Sequence, residues 1–214
     1  LGEDGGFQAK RAHNALCIES STLSYNWVKE LNEKVSSLMY RYIDCPVTGG
    51  PDGAQAGRLT MLMGGDEENI EEIKPTLNAY ASRFVHFGKA GAGTCYKLIV
   101  NLMGAVQGVA LAEGMLLAEA CGLDLQLVGE TLKTGAVASN HVKYLIDRTV
   151  AKNHDDIYFS AALRHKDAAY ALELAKEIGQ AMPVSGTATQ IFQLALSRGW
   201  GNLNSSVVIE ALRR

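Results

Sequence analysis

The chain predicts an α/β segment followed by an all-helical domain, and two observations carry that prediction. Up to about residue 90, short apolar runs alternate with helical patterns, as in α/β units. From Thr94 onward the strand signals disappear, and a long, almost entirely apolar helical stretch leads into further helices. The result is an α/β piece joined by one long helix to an all-α remainder.

The elements follow in order. Leu16-Cys17-Ile18 is a buried-strand candidate ended by Glu19-Ser20-Ser21-Thr22. Ser24 is placed to cap a helix running to about Ser36, with Trp27, Val28, Leu31 and Val35 on one face. Tyr40 to Cys45 reads as the next strand, stopped by Pro46, and Leu59 to Met63 as another, closed by Gly64-Gly65. Asp66 is expected to cap a helix from Glu67 to about Tyr80. Its early carboxylates suit the positive helix end, and Pro75 should kink or interrupt it. Phe84 to Phe87 is a last short strand. The long helix spans about Thr94 to Cys121, with Gly122 placed to end it. Helical patterns then recur at 124–133, 139–151, 161–180, 185–198 and 205–213.

Composition narrows the function classes. The chain has 214 residues, 47% hydrophobic, which is ample for a sizeable core. Its 20 basic residues against 23 acidic ones leave a net charge of -3, with no basic stripe, which argues against nucleic acid as a partner. Cys17, Cys45, Cys95 and Cys121 form no CxxC pair and no zinc spacing, so reduced, mostly buried thiols are expected. Histidines 13, 86, 141, 154 and 165 are scattered without a ligand pattern, so no metal is expected. The uncharged stretch Leu98 to Ala112 is shorter than the roughly 20 residues a membrane span needs. It contains Asn101 and Gln107 and reads as a helix buried in protein. The opening Leu1-Gly2-Glu3-Asp4-Gly5-Gly6 shows no leader pattern and reads as a loop inside a domain.

Four constellations carry chemistry. In Thr48-Gly49-Gly50, paired glycines let successive N–H groups point at a carboxylate, although such pairs also mark ordinary turns. Gly88 to Gly93 resembles a phosphate loop, but its glycines fall as GxxGxG, not GxGxxG, and Gly93 precedes Thr94 without a lysine. A nucleotide role for it is rejected. Lys97 and Asn101, four residues apart, project from one helix face and can act together on a polar substrate. A lysine on an apolar helix either serves acid/base chemistry or snorkels, and the residues alone leave both readings open. Phe159 with Lys166-Asp167 reads, by itself, as a helix start with a surface ion pair.

These motifs resemble the β-hydroxyacid dehydrogenases, the family of 3-hydroxyisobutyrate dehydrogenase and tartronate semialdehyde reductase. The substrate-binding signature of that family looks like Asp44-Cys45-Pro46-Val47-Thr48-Gly49-Gly50, with Thr48 where the family usually has Ser. Its catalytic signature looks like Gly91-Ala92-Gly93-Thr94-Cys95-Tyr96-Lys97 with Asn101. Ile18-Glu19-Ser20-Ser21-Thr22 is a weaker match, and Phe159 with Lys166-Asp167 resembles the segment that reaches toward the cofactor. The resemblance covers essentially the whole chain. Two departures stand out. Asn202 and Asn204 precede Ser205-Ser206-Val207 where the family commonly has Asp, and the family's opening βαβ unit with its Gly-rich turn is missing.

The resemblance implies that residues 1–90 are the C-terminal remainder of a Rossmann-like NAD(P)-binding domain. Residues 91–214 are then an interdomain helix and an all-helical domain for substrate and oligomerisation. It implies hydride exchange between a nicotinamide, NAD or NADP, and a small 3-hydroxy acid or its semialdehyde. Lys97 is then the general acid/base, Asn101 orients the substrate, and Thr48, Gly49 and Gly50 bind its carboxylate. Thr22, Phe159 and Lys166 flank the cofactor. Without the Gly-rich turn, the chain as given is expected to bind NAD(P) weakly and to be inactive alone. A homo-oligomer paired through the helical domain is implied, in the cytoplasm or a mitochondrial matrix. The rival expectation is a non-catalytic oligomerisation module with an idle site.

Overall fold

A computed structural model describes residues 14–213, so the expected loop at Leu1–Gly6 lies outside the described residues. The chain divides into two compact units, one ending at Ile99 and the other running from Val100.

The first unit is a mixed five-stranded sheet. Strand β1 (Leu16–Glu19) runs parallel to β2 (Arg41–Asp44), with Leu16 opposite Arg41 and Glu19 opposite Asp44. Beyond Pro46, β3 (Val47–Thr48) continues along the same edge of β4 (Leu59–Gly64), and both β2 and β3 are antiparallel to it. Pro46 interrupts the run because it has no N–H to give, but its carbonyl stays in the ladder, accepting from Leu62 N at 2.8 Å. Strand β5 (Ala81–Gly88) pairs parallel to β4 on its other edge.

Helix α1 (Tyr25–Ser37) starts where Ser24 Oγ accepts from Trp27 N at 3.3 Å. It buries Val28, Leu31 and Val35 against Tyr40 and Tyr42, while Trp27, expected on that face, is 42% exposed. Ile43, Cys45, Met61 and Met63 project to the opposite side and pack with Ile70 and Leu77 of α3 (Glu67–Leu77). Pro75 does not split α3. The helix runs on for two residues past it, although the missing N–H leaves a carbonyl of the preceding turn without its helix donor. Asp66 occupies the N-cap position but its side chain makes no capping bond. The short α2 (Gly50–Gln55) follows the double glycine, an element absent from the sequence expectation because Pro51 and Gly53 suppress any helical pattern.

Helix α4 (Ala92–Ala120) crosses from the first unit into the second and ends at Gly122, whose φ of 72° only glycine adopts freely. It is long and apolar enough to cross a membrane, longer than the sequence stretch first suggested. Yet 56% of its most apolar window is buried in the protein, as in a core helix.

The second unit is helical. It comprises α5 (Leu125–Thr134), α6 (Asn140–Val150), α7 (Ala161–Glu177), α8 (Pro183–Ser197), a 3₁₀ turn at Ser205–Val207 and α9 (Val208–Leu212). The last expected helix, 205–213, therefore begins as a tighter turn. Of the four thiols only Cys45 is buried and Cys121 is exposed, so the expectation of mostly buried cysteines is corrected.

The start of α4 is set by a carboxylate. Asp44, fully buried at the end of β2, accepts from Gly91 N through Oδ1 and from Thr94 N through Oδ2, each at 2.6 Å. Burial pushes its pKa up, and the two amides pull it back part of the way. Gly64 and Gly93 have no room for a side chain: a Cβ on the first would overlap Asp44 Oδ1, and one on the second the Leu62 carbonyl. Asp44→Ala leaves two buried N–H groups without their acceptor and is expected to lower unfolding free energy by about 2–4 kcal/mol. The urea midpoint of the variant measures it, and an unchanged midpoint contradicts this role for Asp44.

Candidate active site

Each sequence-selected residue belongs to one of the two units. In the first, Thr22 lies in the loop after β1, where Ser21 N donates to Glu19 Oε1 at 2.7 Å. Thr48 ends β3 opposite Thr60. Gly49 (φ 127°) and Gly50 (φ 63°) form the bend into α2, both in the left-handed region that favours glycine. Lys97 is half-buried on the second turn of α4.

The glycine turn between β5 and α4 cannot serve as a phosphate cradle. Two of the amides that such a loop would offer, those of Gly91 and Thr94, are occupied by Asp44. Ahead of α3 the helix opens on Glu67 and Glu68, which repel an anion. The described residues therefore provide no pyrophosphate cradle at these two turns.

In the second unit, Asn101, Phe159 and Lys166 are brought together through two residues that the sequence reading left unassigned. Asn101 is buried, and its Nδ2 donates to Asp167 Oδ2 at 2.6 Å. Because a carboxylate only accepts, this bond fixes the amide's orientation and turns Asn101 Oδ1 the other way as an acceptor. Lys166 Nζ lies 3.0 Å from Asp167 Oδ1. The pair is not the surface ion pair that spacing suggested, since the Asp167 side chain is only 3% exposed. Arg164, one turn earlier on α7, is also buried, with its guanidinium 4.3 Å above the Phe159 ring.

Phe159 is held from behind by Asn204. Asn204 Oδ1 accepts from the N–H of Tyr158 (3.3 Å) and Phe159 (3.4 Å) and from Tyr144 Oη (2.7 Å). Its Nδ2 donates to Ser206 Oγ at 2.8 Å, and Ser205 N donates to the Phe159 carbonyl at 2.8 Å. The departure at position 204 thus leaves a complete polar anchor, built with an amide that both donates and accepts. Ser160 then caps α7, accepting from Leu163 N at 3.3 Å.

His141 Nε2 lies 3.1 Å from the Gly104 carbonyl, which makes it the donor. Burial, helped by the charge on Arg164, pushes its pKa down to about 4. A base whose folded pKa lies below its usual value near 6.5 contributes stability that is full above 6.5 and lost as pH falls toward 4. Burial likewise pushes His154 and His165 down. His141→Gln should therefore flatten the decline of unfolding free energy between pH 6.5 and 4, by roughly 3 kcal/mol at the low end. Chemical denaturation across that range measures it, and parallel wild-type and variant curves contradict it.

Known proteins resemble the chain along most of its length. Residues 1–88 match the NAD binding domain of 6-phosphogluconate dehydrogenase, and residues 91–212 match NAD-binding of NADP-dependent 3-hydroxyisobutyrate dehydrogenase. The chain is 34% identical over 204 residues to a probable 3-hydroxyisobutyrate dehydrogenase of Mycobacterium tuberculosis, covering 92% of this chain and 69% of that protein. It is 29% identical to the 2-(hydroxymethyl)glutarate dehydrogenase of Eubacterium barkeri, over 96% of this chain and 68% of that one. The solved structure of Mycobacterium tuberculosis 3-hydroxyisobutyrate dehydrogenase with L-serine superposes with a TM-score of 0.85. That match is at 30% identity and covers 95% of this chain and 72% of the other. The chain belongs to the 3-hydroxyisobutyrate dehydrogenase family of β-hydroxyacid dehydrogenases, enzymes whose cofactor is NAD or NADP.

Proposed function

We propose that the intact protein oxidises a small 3-hydroxy acid to its semialdehyde, or runs the reverse reduction. The observation that carries this reading is the Asn101–Asp167 bond of 2.6 Å, which orients an amide one helical turn from Lys97. When bound, the nicotinamide supplies the hydride acceptor, flanked by Thr22, Phe159 and Lys166. The substrate carboxylate docks on the Thr48 hydroxyl and the amides of Gly49 and Gly50, whose backbone is bare enough for close approach. Asn101 holds the substrate hydroxyl. Lys97, as the neutral amine, takes the hydroxyl proton during oxidation and returns it during reduction.

Residues up to about 90 serve the cofactor in this reading, and residues from 91 onward serve the substrate. The 214 residues alone are proposed to be inactive, because the turns ahead of α3 and α4 offer a dinucleotide no pyrophosphate cradle. The helical part is proposed to pair with a second copy through α4, where Ile99, Met103 and Leu117 are exposed at 53%, 56% and 67%. The same apolar face supports the rival reading, a pairing module with an idle site.

Lys97→Ala in the full-length protein should lower turnover roughly 10²–10⁴-fold, with an unchanged melting temperature. Steady-state rates on a panel of C3–C5 hydroxy acids measure this, alongside fluorescence titrations with NADH and NADPH. Turnover near wild type removes Lys97 from the mechanism, and cofactor binding without turnover of any hydroxy acid favours the module.

A further inference from the structure

We propose that Arg164 is a positioning residue that locks Asn101 and Phe159 together, with Gly104 as the cradle for its guanidinium. The inference rests on the dehydrogenase reading only for its kinetic consequence. Arg164 sits in an unfavourable place for a cation: it is 6% exposed and lies in the first turns of α7, where the helix dipole is positive. Burial pushes its pKa down to about 10, with Asp167 and Tyr144 opposing.

What surrounds the guanidinium accounts for its presence. One face covers the Phe159 ring at 4.3 Å. Its Nη1 donates to the main-chain carbonyl of Asn101 at 3.2 Å. The other side lies flat on α4 at Gly104, where an added Cβ would stand 2.5 Å from Nη1 and 3.0 Å from Cζ. Its Nε is buried and meets no acceptor, so the group is not placed for its own hydrogen bonding alone. A flat guanidinium can bridge a ring, a carbonyl and a bare helix at once, which the rounder ammonium of lysine cannot. Asp167, which holds the Asn101 amide, lies three residues further along α7, and so Arg164 and Asp167 grip Asn101 by its main chain and its side chain respectively.

The test is a double-mutant cycle in the full-length protein with Arg164→Met and Gly104→Ala. In an ordinary helix interior Gly→Ala is stabilising, but here the new methyl expels the guanidinium. Each single variant is expected to lower kcat roughly 10–100-fold with a smaller change in KM. The double variant should be no worse than Arg164→Met, because the methyl then has nothing to displace. Arg164→Lys should fail to rescue. An activity-independent readout accompanies the rates: the side-chain amide resonances of Asn101 in ¹⁵N spectra should move in both single variants. Additive losses, or unmoved Asn101 resonances, overturn the proposal. If Arg164→Met fails to fold, Gly104→Ala alone decides through the same resonances. Moved resonances in a protein that turns over no hydroxy acid sink the dehydrogenase reading and leave the positioning role standing.

Discussion

A buried carboxylate at the end of β2 and the first turn of α4 hold one another in place, and the position of Lys97 on that helix depends on the junction. Asp44 meets two amides that would otherwise be helix-terminal orphans, and they in turn solvate a charge that burial disfavours. The close approach requires bare backbone at Gly64 and Gly93, which explains why glycines accumulate on both sides of the contact. Lys97 follows one turn later. Its position is therefore inherited from a strand end through two short hydrogen bonds, without any flexible connection between. The same bonds remove the turn from any competition for phosphate.

The second unit repeats this economy with different groups. Asn204 gathers Tyr144, Tyr158, Phe159 and Ser206 into one polar knot, so a segment with little regular structure is held by its main chain. Arg164 and Asp167 then connect that segment to Asn101 on α4. Buried polar networks of this kind are costly unless every member is satisfied. Here most are, and Arg164 Nε, which meets no acceptor, lies next to Asn101 and Phe159.

Much of the architecture was legible in the sequence because it rests on local periodicity. The short runs at 40–45 and 59–63 and the apolar stretch ended by Gly122 became strands and a helix within a few residues of expectation. Trp27 was misplaced because a helical stripe three residues wide does not say which of its edges meets the sheet. The short α2 was hidden by its own Pro and Gly residues. At the proposed site, spacing paired Lys97 with Asn101, and both do lie on one helix. It could not disclose Asp44, Arg164, Asp167 or Asn204 as partners. Their long-range contacts join positions 45 to 66 residues apart in sequence, and nothing in local pattern separates a Lys166–Asp167 pair with a buried carboxylate from a solvated one.

The most direct test of the account is a crystal structure of the full-length protein with a bound 3-hydroxy acid. The account predicts the substrate hydroxyl within about 3 Å of Lys97 Nζ, beside the Asn101 amide, with the carboxylate on Thr48, Gly49 and Gly50. A hydroxy acid seated elsewhere, or one whose hydroxyl faces away from the amine, would contradict it.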